Sequence, residues 1–312
     1  MAFIPSLLRA THFSNPFLST LVPSISLAYG LQALVAIPSI AAQTERFYDL
    51  SGSLTYLSCT ALSLYLPTIR ARHAATLAGT PPPAWPNLLH ALVGRSGGLN
   101  WRQAVLSTAV SIWATRRTDS RFTQIRTSPP KFLLAFFAQA TWVTLCLLPV
   151  LSLNALPLTA LPRTILLTDL LGLLLFTSGL TFEILADRQK STWLSAKHAK
   201  KHDEDFLTTG LWSKSRHPNY FGEATLWSGI ALVAGGVLTR SAAQAGMGLA
   251  GMGLGGKVLA GAMAGVSPAF VLFLLLKVSG VPMSEEKYDK RYGDRKDYQA
   301  WKENTPVFVP KF

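Results

Sequence analysis

The run Gly210-Leu-Trp-Ser-Lys-Ser-Arg-His-Pro-Asn-Tyr-Phe-Gly-Glu223 gathers a guanidinium, an imidazole, an amide, a phenol and a carboxylate at the mouth of an apolar stretch. Pro218 suits the first turn of a helix, where its missing N–H is no loss and its φ is preset. Arg216 and His217 then stand just before a helix N-terminus, whose free N–H groups and positive dipole attract anions. With Lys214 beside them, the chemistry is that of a seat for phosphate or another anion. Asn219, Glu223 and Trp227 recur at i, i+4 and i+8 and share one face. A carboxylate entering a membrane span is costly unless it is paired or faces a polar cavity, so Glu223 is a site candidate by default. The plain alternative is that Arg216 and His217 touch lipid headgroups and Asn219 caps the helix.

Three further groups add to this chemistry. In Thr181-Phe-Glu183-Ile-Leu-Ala-Asp187-Arg188, the carboxylates of Glu183 and Asp187 are four apart on one helix face and suit a cofactor amide, ribose hydroxyls or a proton. Asp187 with Arg188 is equally readable as an interfacial ion pair. Arg116, Arg117 and Arg121, with Asp119 between them, suit phosphate binding or positive-inside anchoring. In the tail, Tyr288, Tyr292 and Tyr298 alternate with Arg291 and Arg295, a mix that stacks on a base and binds phosphate, or skims a membrane. Gly293 reads as a helix stop and Asp294 as the cap of the next helix. The two cysteines, Cys59 and Cys146, lie in apolar stretches and give no metal site. The glycines at 246 to 256 follow no strand, so no dinucleotide-binding loop of the strand–turn–helix type is present.

The elements that must carry these residues are membrane helices. Of 312 residues, 49% are hydrophobic and 14% are charged, against roughly 25% charged in soluble domains. The formal charge of +13 fits nucleic acid or an anionic membrane face, and the apolar blocks decide for the membrane. A span needs ~20 mostly apolar residues, which gives seven: Phe17–Ala42, Gly52–Ile69, Trp101–Thr115, Phe132–Leu153, Thr164–Ala186, Tyr220–Thr239 and Val258–Val281. The run from Phe17 reads as a first span and not as a transit peptide or signal-peptide core. Nineteen of the 29 Lys and Arg residues lie in Arg116–Lys131, Arg188–Arg216 and Lys287–Lys311, all on one side of a seven-span bundle. By the positive-inside rule that side is the cytosol, together with the C-terminus. Residues 70–100, with Pro81-Pro82-Pro83, read as an irregular loop, and 245–265 as a lumenal loop or a closely packed small-residue helix. The expected organisation is an all-α bundle, with N-terminal spans and loop over 1–100 and a membrane domain with cytosolic tail over 101–312.

These motifs, in this order, resemble the steroid 5-alpha-reductase C-terminal-domain family of membrane oxidoreductases, in its branch from bacteria, fungi and plants. The resemblance covers about Arg116 to Phe312. Its core is Gly210-Leu-Trp with Ser-Arg-His-Pro-Asn-Tyr-Phe-Gly-Glu, supported by Phe182-Glu183 with Asp187, Ser279-Gly280-Val281-Pro282, and Thr305-Pro306 through Pro310. It implies an endoplasmic-reticulum membrane enzyme, if the cell is eukaryotic, that uses NADPH to reduce a carbon–carbon double bond conjugated to a carbonyl in a sterol-like or other lipid. It implies that Glu183, Asp187, Arg216, His217, Asn219, Tyr220 and Glu223 line the cofactor site, with Arg116 and Arg117 on phosphate and Tyr288, Arg291 and Tyr298 closing over it. Partners are then membrane lipids and a lipophilic small molecule, not nucleic acid, and no metal is called for. For the carbonyl-polarising acid, Tyr56 and Tyr65 are the tyrosines that the second span offers.

The rival is a methyltransferase. Isoprenylcysteine carboxyl and phospholipid methyltransferases share an Arg-His-Pro-x-Tyr element followed by a span and a Glu/Arg-bearing tail, and use S-adenosylmethionine. Asn219 and Phe221-Gly222-Glu223 resemble the reductase pattern more closely. A non-enzymatic membrane scaffold would need the polar residues for packing only.

Overall fold

A computed structural model describes residues 3–95, 97–116 and 128–312. Among them the chain is helical without a strand: α1 (Phe3–Ala10), α2 (Pro16–Ala41), α3 (Tyr48–Leu77), α4 (Leu88–Leu92), α5 (Trp101–Ala114) and α6 (Pro129–Ala155) lead to α7 (Leu167–His198). Then follow α8 (Pro218–Leu238), α9 (Ser241–Met247), α10 (Leu254–Phe273), α11 (Val281–Tyr292) and α12 (Lys296–Asn304). Helix starts are written locally. Asn15 accepts from the Phe17 amide ahead of Pro16, Asn100 and Gln103 form a reciprocal capping box, and Pro129 and Pro218 open their helices.

The chain is an integral membrane protein: α2, α6, α7, α8 and the apolar part of the continuous stretch Leu254–Tyr292 are long and apolar enough to cross a bilayer. Two of the seven expected spans do not reach that measure. At 14 residues α5 is about 21 Å long, short of a ~30 Å hydrocarbon core. The 30 residues of α3 suffice in length, but Ser, Thr and Arg residues dilute them, and the helix overruns its expected end by two turns into the loop expected over 70–100. By contrast α7, at 32 residues and about 48 Å, runs three turns beyond Ala186. The glycine-rich stretch divides: α9 ends at Gly248 in the left-handed conformation, a turn follows, and α10 starts at Leu254.

Two compact units emerge, residues 1–166 with 233–266, and residues 167–232 with 267–312. In the first, α2, α3 and α6 pack together and α5 leans on α3 and α6. Its interior is polar at intervals. Gln32 donates to Thr55 at 2.8 Å, Ser51 to Gln139 at 3.3 Å, and Asn154 to Ser63 and Ser107 at 2.9 and 3.1 Å. Between these layers Tyr56 meets Trp113 and Trp142 edge-on at 5.4 and 5.8 Å.

In the second unit, α7 and α8 approach until backbones touch. A Cβ on Gly179 would lie 2.6 Å from the Leu226 nitrogen, and one on Gly222 would lie 2.6 Å from the Glu183 nitrogen. Only glycine permits this contact, and it buries Glu183 and Glu223 where the helices meet. Past α10 the chain makes one π-helical turn, Leu274–Val278, breaks at Gly280 and continues as the charged α11.

Candidate functional site

The second unit assembles a cleft at the head of α8. Residues 214–216 are fixed before the helix begins: the Arg216 amide donates to the Pro306 carbonyl at 2.8 Å, Ser215 Oγ donates to the Phe308 carbonyl at 2.9 Å, and the Lys311 amide donates to the Lys214 carbonyl at 2.9 Å. The floor is set by Trp212, whose indole N–H donates to the Ala186 carbonyl at 3.0 Å, and by Gln189, which accepts from the Leu211 amide. These bonds hold Arg216 and His217 still, both buried.

Glu285 of α11 reaches across to both. His217 Nε2 donates to its Oε1 at 2.8 Å, and Arg216 Nη1 donates to its Oε2. The His217 ring lies parallel on Tyr220 at 5.3 Å. Lys302 of α12 stands 3.4 Å from Glu285 and binds Asp289 at 2.5 Å, and Tyr298 Oη donates to Asp289 at 2.8 Å. Phe206 packs against Tyr298 and Trp301 at 5.3 and 5.4 Å, and Lys190 lies 5.0 Å over the Trp212 ring. The cavity left among these groups measures about 50 Å³, room for a few waters.

Outside the membrane stretches, the Tyr298 phenol is pushed above its ordinary range by burial and by its bond to the Asp289 carboxylate. Asp205 is held below the usual carboxylate range by its bonds to Lys197, at 3.0 Å, and Arg295, at 2.5 Å. Through these pairs the loop before α8 is pinned to α7 and to the start of α12.

Several buried polar atoms at the cleft have no partner: Arg216 Nε, Trp301 Nε1 and Asn219 Oδ1. Two are donors and one is an acceptor. Buried polar groups are satisfied in the great majority of cases, so these three are open to bonding by a ligand or water.

A family model described as "Protein of unknown function (DUF1295)" matches residues 84–305. The chain is a member of the DUF1295 family. No curated protein and no solved structure matches it. The DUF1295 match takes in α4 to α12 and so includes the whole of α7, α8 and the cleft.

In this DUF1295 protein Arg216, His217, Asn219, Tyr220, Tyr288 and Tyr298 line one cleft, as the motifs suggest. Asp187 is joined to it through Asn219, whose Nδ2 donates to its Oδ1 at 3.2 Å. Glu183 and Glu223 sit behind it in the α7–α8 contact. Arg291 is exposed, 5.2 Å over the Tyr292 ring. Arg116 is exposed at the end of α5 in the other unit, and Arg117 lies outside the described residues. Tyr56 belongs to the aromatic stack of the first unit, and Tyr65 is half-buried on α3. Asp294 is not the cap of α12: Arg295 takes that position, and no side chain caps it. Sequence reasoning missed Glu285, Lys302 and the rings of Trp193, Phe206 and Trp301. A signal existed for one pair only, since Trp301 and Lys302 follow Tyr298 by three and four residues on the same helix face.

Proposed function

We propose that the protein is a membrane-embedded NADPH-dependent reductase acting on a carbon–carbon double bond conjugated to a carbonyl in a sterol-like or other lipid. The observation that carries this reading is Arg216: it is buried, its Nε lacks a partner, and it faces a cleft walled by aromatic rings with Lys190 and Lys302 nearby. An unmet buried donor costs about 1–3 kcal/mol, which a ligand oxygen would recover. The groups present fit the cofactor: three cations suit its phosphates, Trp193, Phe206 and Trp301 suit a flat base, and Asn219 Oδ1 suits an amide N–H. Bound NADPH would supply the hydride. The chain's own part is to hold and orient. Arg216 and Lys302 would take phosphate, Tyr288 and Tyr298 would close over it, and Asp187, Glu183 and Glu223 would steady the α7–α8 wall behind it.

The same reading puts the basic segments 188–216 and 287–311 in the cytosol with the C-terminus, and the enzyme in the endoplasmic reticulum if the cell is eukaryotic. Thiol labelling of Ser195→Cys and Ser284→Cys from one face supports this orientation. Labelling from opposite faces overturns it.

One observation favours a second reading: the group that Arg216 and His217 hold here is a carboxylate, and S-adenosylmethionine carries one. Titration of the purified protein with each cofactor decides, read by fluorescence of Trp193, Trp212 and Trp301 at the cleft. Saturable quenching by NADPH is expected; saturation by S-adenosylmethionine alone moves the assignment to a methyltransferase.

A further inference from the structure

The two oxygens of Glu285 occupy Arg216 and His217 at once, yet leave Arg216 Nε unmet. A phosphate monoester presents three terminal oxygens and more charge, so it can satisfy the guanidinium more fully than a carboxylate does. Around Glu285 stand Arg216, His217 and Lys302, with Asp289 offsetting Lys302. Take Glu285 away and the positive charge is left uncovered. The cavity, at about 50 Å³, admits no nucleotide while Glu285 is in place. The carboxylate is carried by the first turn of α11, and α11 is held by Lys302 and Tyr298 to Asp289, by Tyr292 to the Asp205 carbonyl, and by the packing of Tyr288 and Tyr292 against Phe206, Tyr298 and Trp301 near its far end.

We infer that Glu285 is a resident stand-in for the phosphate monoester of a ligand, and that the ligand takes the seat on Arg216, His217 and Lys302 by displacing Glu285 together with α11. This rests on reading the cleft as an NADPH site and deepens it: the phosphate monoester is the group that exchanges. Binding is then taxed by the closed population, because apparent affinity falls with the fraction of open molecules. Glu285→Gln keeps size and removes charge, weakening the closed form without touching the cations.

The test uses the full chain in phosphatidylcholine nanodiscs. Adenosine 2′-monophosphate, inorganic phosphate and adenosine are titrated into wild type, Glu285→Gln and Glu286→Gln, the last altering an exposed pair with Lys290. Expected is a gain of about tenfold in affinity for the nucleotide and for phosphate in Glu285→Gln, with adenosine and Glu286→Gln unchanged. In wild type, the nucleotide should speed amide hydrogen exchange in α11, a readout that holds even if Glu285→Gln folds poorly. Equal or weaker phosphate binding in a folded Glu285→Gln, or slower exchange in α11, overturns the exchange. If NADPH still binds both proteins alike, the cofactor reading survives that failure. Should phosphatidic acid in the nanodisc, and not the nucleotide, speed amide hydrogen exchange in α11, the exchange stands, its source is a headgroup, and the NADPH reading falls.

Discussion

The two units differ in the kind of polarity they bury. In the first, Gln32, Ser51, Thr55 and Gln139 spend their hydrogen bonds on one another across α2, α3 and α6, as do Asn154, Ser63 and Ser107 across α3, α5 and α6. These are neutral groups in short reach, the pattern of interhelical glue. In the second, the charged groups of the segment before α8, of α11 and of α12 meet at one cleft, where N–H donors of Arg216 and Trp301 are left without partners. Neutral polarity spread between helices holds them together. Charged groups that converge on a cleft are arranged for something else.

The strongest way to break this contrast is to remove the geometry under the open site. Gly222→Val drives a side chain into the Glu183 backbone, 2.6 Å from its nitrogen; overpacking of this kind costs about 3 kcal/mol or more, and loss of folded protein on heating or in chromatography is expected. Gly30→Ala, where a Cβ meets nothing within 4 Å, should be neutral or stabilising by up to ~1 kcal/mol. Equal behaviour of the two would sink the close-contact account.

Next in size is Arg216→Ala. It strands Glu285 in a largely buried position and should cost about 3 kcal/mol in stability, with NADPH affinity lowered by ~1.5–3 kcal/mol. Unchanged NADPH affinity in a folded variant removes Arg216 from the site. Gln139→Leu, in the glue, should cost only about 1 kcal/mol and leave NADPH affinity alone; a loss of affinity there would erase the contrast between the units.

The smallest effect is in pH. Because the folded Tyr298 phenol is raised above its unfolded value, its contribution to stability is complete below about pH 10 and is lost as pH climbs through the folded value. Tyr298→Phe should lessen the alkaline slope in thermal unfolding, the remainder coming from Tyr288, which burial also raises. A slope that persists undiminished in Tyr298→Phe must come from another group.

The sequence carried the membrane class and half of the cleft, because both are local. A polar motif entering an apolar run is visible along the chain, and so are the three tyrosines of the tail. Glu285 meets His217 across 68 positions, and such pairing between helices leaves no periodic trace in a single sequence. The bounds of α5 were legible to within one residue, but at 14 residues it is too short to cross the hydrocarbon core. The α7–α8 contact, by contrast, had a readable mark. Gly172 and Gly179, and Gly222 and Gly229, are each seven apart and line the touching faces.

Residues 306–311 lie beside 214–216, and Ser215 finds its acceptor in Phe308, 93 positions later in the chain. On a translating ribosome those 93 residues take roughly 5–20 s to make. α7 and α8 are complete well before that interval ends, yet the loop holding Arg216 and His217 still lacks the backbone partners that fix it. The site is therefore a late product of biosynthesis, and a chain stalled after α12 has begun would sit in the bilayer with its anion seat unfinished.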